Sequence, residues 1–144
     1  MQRFHVEVGE YAEFSKTVTA AVIEMFAAVS GDFDPIHMDE TYAAQSRFGR
    51  RIAHGAFTMA LLSAASAIIS RRARERGAPG VSLSLGYDRI RFLAPAYIGD
   101  TLTARYTIKS LVPSRDRTHA TVEVVNQNGG LVVAGEHIMK WLAR

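Results

Sequence analysis

Residues 52–69 read IAHGAFTMALLSAASAII, eighteen consecutive positions without Asp, Glu, Lys or Arg. That length stands at the lower edge of what spans a bilayer. However, His54, Gly55, Thr58, Ser63, Ser66 and the many alanines keep its hydropathy modest. A helix that is apolar nearly all round also suits the interior of a globular domain. The segment therefore predicts a buried helix starting near His54-Gly55 and running to about Arg76, on the order of 30 Å long. Gly77-Ala78-Pro79-Gly80 stops it.

After Gly80 the pattern changes to strands. Ser82 to Phe92 is the first. Leu102, Ala104, Tyr106 and Ile108 then alternate with Thr101, Thr103, Arg105 and Thr107, the clearest period-two run in the chain. Thr118 to Val125 and Leu131 to Trp141 flank Asn126-Gln127-Asn128-Gly129-Gly130, a strong hairpin signal. Upstream, Phe4 to Val18 alternates loosely as an extended segment with Gly9 at a turn. Thr19 is placed to cap a first helix, in which Val22, Met25, Phe26 and Val29 form one apolar face. Ser30-Gly31-Asp32 ends that helix, a polar loop follows over 32–37, and a short helix covers Asp39 to Gln45. One strand, then helices including a long apolar one, then about four antiparallel strands is an α+β order. A sheet must bury one face and an apolar helix must be wrapped, so the economical arrangement is a curved sheet around the helix.

With 144 residues the chain fits one domain over 1–144. No cysteine is present, which removes disulfides, thiolate nucleophiles and zinc–thiolate sites. The formal charge of +3 suits an anionic small ligand and falls short of a nucleic-acid-binding stripe. The N-terminal MQRFHVEVGEYAEF lacks the charged and apolar regions of an export signal, so a cytoplasmic location and no membrane partner are expected.

Ser30-Gly31-Asp32-Phe33-Asp34-Pro35-Ile36-His37 resembles the signature of the MaoC-like dehydratases, also called R-specific enoyl-CoA hydratases, whose pattern runs Gly-Asp-x-Asn-Pro-x-His. The likeness continues through Phe48-Gly49, Ile52-Ala53-His54-Gly55, Arg91-Phe92-Leu93-Ala94-Pro95 and Gly99-Asp100, and so covers most of the chain. It implies the hot-dog fold: a long helix wrapped by a curved antiparallel sheet. It also implies reversible hydration of a trans-2-enoyl-CoA to an R-3-hydroxyacyl-CoA, with coenzyme A entering as part of the substrate and no separate cofactor. A metal site built from Asp32, Asp34 and His37 is not expected, because a third well-spaced strong ligand is not evident in the sequence. A homodimer or larger homo-oligomer is implied as well, because such proteins bind their thioester in a groove between two protomers. Asp34 stands where the family has Asn; it can accept a hydrogen bond there but, ionised, cannot donate one.

Hydration needs a positioned, partly deprotonated water, a proton for the α-carbon and donors for the developing enolate. A carboxylate and an imidazole converging on one water meet the first two needs, and Asp32 and His37 match the family's catalytic positions. The working assignment makes Asp32 the base, with His37 sharing its water; the reverse roles remain open. Gly55 matches the oxyanion position, where amides at a helix N-terminus supply preorganised donors. Ser63, eight residues on, matches a serine that lines the site. Asp34 and His54 are read as shaping the pocket. Arg89, Arg91 and the Arg71–Arg76 cluster are candidate partners for phosphate groups. The alternatives are a hot-dog thioesterase, a dehydratase acting on a branched, dicarboxylic or carrier-protein-bound thioester, and a non-catalytic hot-dog subunit.

Overall fold

The computed structural model describes residues 4–143. Its elements run β1 (Tyr11–Thr17), α1 (Ala20–Ser30), α2 (Pro35–Met38), α3 (Glu40–Ala44), α4 (Gly55–Glu75), β2 (Val81–Phe92), β3 (Thr101–Val112), β4 (Arg117–Val125) and β5 (Leu131–Leu142). The five strands form one antiparallel sheet in the order β1-β3-β4-β5-β2. The sheet curves around α4 without closing, which is the hot-dog arrangement. Irregularities in register between Ser84 and Gly86, between Asp88 and Arg91 and between Ile108 and Ser110 bend the strands.

Packing explains why α4 carries no charge over most of its length. Phe57, Leu61, Leu62, Ala65, Ile69 and Ala73 recur at helical spacing and are buried, with Thr58, Ser66 and Ser70 beside them. They meet Leu102, Ala104, Tyr106 and Ile108, the inward set of the alternating strand β3. Each fully buried large apolar side chain contributes about 1.5–3 kcal/mol. The alanines and serines let the sheet lie close to the helix. Among the described residues no helix is long and apolar enough to cross a membrane.

Helix ends follow local chemistry. The Thr19 hydroxyl accepts the Val22 amide at 3.1 Å and begins α1, and Gly31, at φ +83°, ends it in the left-handed conformation that glycine adopts without strain. One expectation is corrected here: residues 35–38 are not loop but the single-turn helix α2. Asp34, extended at φ −52° and ψ 134°, caps it through its side chain, and Pro35 takes the first helical position, where a missing N–H costs nothing. His37 therefore rides on a helical turn.

Candidate active site

The site forms where the chain leaves α1, turns through α2 and enters α4. Asp32 sits in the irregular segment between α1 and α2. Its own amide donates to the Ser30 hydroxyl at 3.1 Å, and its Oδ1 accepts the Asp34 amide at 3.1 Å. The second carboxylate oxygen, Oδ2, faces His37 Nε2 at 3.8 Å. That separation is too long for a direct hydrogen bond and suits one water held between the two groups.

His37 is gripped from behind. Its Nδ1 lies 2.8 Å from the Ile52 carbonyl, an acceptor only, so Nδ1 carries the proton and Nε2 presents a lone pair toward Asp32. Its peptide carbonyl accepts Nε of Arg51 at 2.5 Å. Arg51 is buried, with its guanidinium 3.7 Å from Glu40 and 4.0 Å from Glu24, and it ties α2 to α1 and α3. The exposures differ: the Asp32 side chain is 51% exposed and that of His37 12%. The carboxylate is thus open to solvent and the imidazole is seated in protein.

His54, the residue before α4, is 2% exposed. Its Nε2 donates to the Asp32 carbonyl at 2.9 Å. Its ring stacks on that of His37, with centroids 3.9 Å apart and planes at 27°. Phe26 covers the ring at 4.9 Å. Nδ1 is buried without a hydrogen-bond partner among the described residues, a cost of about 1–3 kcal/mol.

Asp32, His37 and His54 all belong to metal-ligand types, and one atom from each falls within 4.8 Å of the others. Each ring already commits one N–H to a carbonyl. An ion about 2.0–2.1 Å from a nitrogen of both stacked rings would lie out of both ring planes, where no lone pair points. The donor set suits a water better than a metal.

Gly55 opens α4 with no side-chain cap, which leaves first-turn amides free to donate. An apolar cleft of about 280 Å³ meets this end of the helix, walled by Phe48, Ile52, Gly55, Thr58, Phe92 and Pro95. Asp32 and His37 are not among its walls; Ile52, whose carbonyl holds His37, and Gly55, which follows His54, connect it to them. A bond from the Ala53 amide to the Ala96 carbonyl at 2.7 Å fixes the wall. Two larger hollows open elsewhere, one beside Arg76 and the other between Gly80 and Trp141. Neither reaches the amides that begin α4.

The remaining sequence candidates divide. Asp34 acts as the cap of α2, its Oδ1 accepting the Ile36 amide at 3.0 Å, a task needing only an acceptor. Ser63 lies on the exposed face of α4 with Ala56, Ala60 and Ala67, about 12 Å along the helix from Gly55 and outside the cleft lining. Arg89 pairs with Glu136 at 3.2 Å. Arg71 to Arg76 occupy the opposite end of α4 from Gly55, where Arg76 pairs with Glu10 at 2.9 Å. Arg91 adjoins Phe92 of the cleft wall. The sequence reading missed Arg51 and the contacts of His54; the only hint was an arginine and a histidine flanking the apolar Ile52-Ala53.

Comparison with known proteins identifies the family. The family model described as MaoC like domain matches residues 4–129. The chain is 35% identical to the (R)-specific enoyl-CoA hydratase of Aeromonas caviae over 135 residues, 94% of this chain and 95% of that protein. It is 34% identical to a 3-hydroxybutyryl-CoA dehydratase of Methylorubrum extorquens, over 94% of this chain and 80% of that one. The solved structure of an unliganded R-hydratase from Pseudomonas aeruginosa superposes with a TM-score of 0.82 at 36% identity, covering 96% of this chain and 84% of that chain. On these grounds the chain belongs to the MaoC-like dehydratase family.

Proposed function

We propose that the protein is a hydro-lyase that reversibly hydrates a trans-2-enoyl-CoA to an R-3-hydroxyacyl-CoA, with Asp32 and His37 as its catalytic residues. The observation that carries this reading is the 3.8 Å gap between Asp32 Oδ2 and His37 Nε2, beside the uncapped start of α4. Both facing atoms are acceptors in the tautomer that the Ile52 carbonyl imposes. A water between them donates one hydrogen to each and turns its lone pair toward the β-carbon of the substrate. As the C–O bond forms, the pair takes up the water's proton and the thioester oxygen gains enolate charge. First-turn amides at Gly55 stabilise that charge, a contribution of about 2.7–4 kcal/mol for a typical oxyanion donor. Return of the proton to the α-carbon completes the addition with no net gain or loss of protons. The similarity to the Aeromonas caviae and Methylorubrum extorquens proteins supports the same chemistry.

The working form is a homodimer, with a second copy seated along β2. This strand is an edge of the sheet, and Val81, Leu83, Leu85 and Phe92 on it are each about half exposed. An apolar edge of this kind favours pairing with another chain. Sedimentation at micromolar concentration should give twice the chain mass; a monomer would remove this part of the reading.

The test of function is turnover of crotonyl-CoA by the purified protein. Loss of the enoyl absorbance without release of free thiol is expected. Release of thiol would instead identify a thioesterase, and no change in either signal would reject the enzymatic reading for this substrate class.

A further inference from the structure

We propose that His54 is a positioning residue that sets the distance between the two catalytic groups, holding Asp32 through a hydrogen bond and His37 through its ring face. Among the described contacts it is the one side chain that touches both. The segment carrying Asp32 is otherwise bonded to itself: the Asp32 amide to Ser30, its Oδ1 to the Asp34 amide. The bond from His54 Nε2 to the Asp32 carbonyl, at 2.9 Å, ties that segment to the start of α4. Through its face the same imidazole stacks at 3.9 Å on His37 and fixes the plane of that ring, whose Nε2 the Ile52 bond turns toward the carboxylate. Phe26 and the helix behind it press the ring into place.

The choice of side chain supports this role. A phenyl ring in the same slot would stack on Phe26 and His37 equally well and leave no buried nitrogen unpartnered. Histidine carries the desolvation cost of a bare Nδ1, and what it supplies in return is the Nε2 donor. A donor aimed at a main-chain carbonyl two bonds from the catalytic Cα controls where the carboxylate can reach. Small misplacements in such pairs are costly, since a shift of about 1 Å can lower a rate by ~100-fold.

The kinetic arm of the test rests on the hydration reading above; the spectroscopic arm does not. His54→Phe keeps the stack and removes the donor, whereas His54→Gln keeps a donor and removes the ring. With crotonyl-CoA as substrate, each should lower kcat by ~10–100-fold while KM stays within about threefold, and His54→Ala should be worse than either. In the unaltered protein, ring nitrogen-15 shifts should show His54 protonated on Nε2 and His37 on Nδ1. His54→Phe retaining the parent kcat, a loss confined to KM, or a His54 ring protonated on Nδ1 would each overturn the proposal. If the unaltered protein fails to hydrate crotonyl-CoA, the functional reading falls and the nitrogen shifts alone decide the positioning role.

Discussion

Two buried imidazole sites in this molecule are built on opposite plans. At the start of α4, His37 and His54 stack beside an exposed carboxylate; one ring nitrogen is left facing a gap and another has no partner. In the sheet, His137 is sealed: its Nδ1 meets the Tyr106 hydroxyl at 2.7 Å, its Nε2 meets the Ser84 hydroxyl at 2.7 Å, and Tyr87 stacks over it at 4.5 Å. Burial pushes the His137 imidazole down to about 4 and the Tyr106 phenol upward, so both stay neutral. A fully satisfied polar network rigidifies a core. An unsatisfied one beside a cleft has capacity left for a substrate or a water. The contrast separates a histidine whose bonds are all spent within the fold from a pair with bonding capacity left, although His54 is as buried as His137.

The contrast can be broken most sharply at the catalytic pair. Asp32→Asn and His37→Gln should each reduce crotonyl-CoA hydration by at least ~100-fold with unfolding midpoints near that of the parent. A fully active variant at either position would erase the functional half of the comparison. At the sealed site the effects should be exchanged. His137→Phe strands the buried Tyr106 hydroxyl and should cost about 1–3 kcal/mol of stability, read by urea unfolding, while kcat per folded molecule is retained.

The pH dependence of stability sharpens the comparison further. The folded-state value of His137, about 4, lies below its ordinary 6.5, so the unfolded chain takes up a proton first. Its contribution is present above pH 6.5 and lost as pH falls from there toward 4, by on the order of 3 kcal/mol at most. Urea unfolding between pH 7 and 4.5 should show this decline in the parent and a flatter curve in His137→Phe. Parallel curves would mean that the imidazole is not held neutral by the fold. The smallest effect is expected at Gly55, where an added Cβ would sit 3.1 Å from the exposed Phe92 ring. That ring can swing away, so Gly55→Ala should lower kcat/KM by about 3–10-fold; unchanged kinetics would place substrate elsewhere than against the start of α4.

Much of this was legible in residue order because the relevant signals are local. The alternation of β3, the charge-free run of α4, the Thr19 cap and the Gly31 stop each depend on neighbours within a turn or two. The resemblance of Gly31-Asp32 through His37 to the family signature pointed to the catalytic candidates, and His54-Gly55 marked the amide-rich end of α4. Helix α2 escaped because four residues carry no periodicity; it is declared only by the Asp34 cap acting with Pro35. The contacts of His54 escaped because its partner Asp32 lies 22 positions away, and those of Arg51 because His37 lies 14 away. His137 gave no signal for a related reason: its burial follows from the register that sets it between β4 and β2. Ser63 came from the family resemblance, and in the single chain it lies on the exposed face of α4.

The most direct measurement is a double-mutant cycle on the parent, Asp32→Asn, His37→Gln and the doubly substituted protein, using kcat/KM for crotonyl-CoA. If the two side chains act on one shared water, removing the second after the first should add little, and the double variant should match the weaker single variant within a few-fold. Losses that multiply would mean that the two groups work on separate events, and the account of a single bridged water would be wrong.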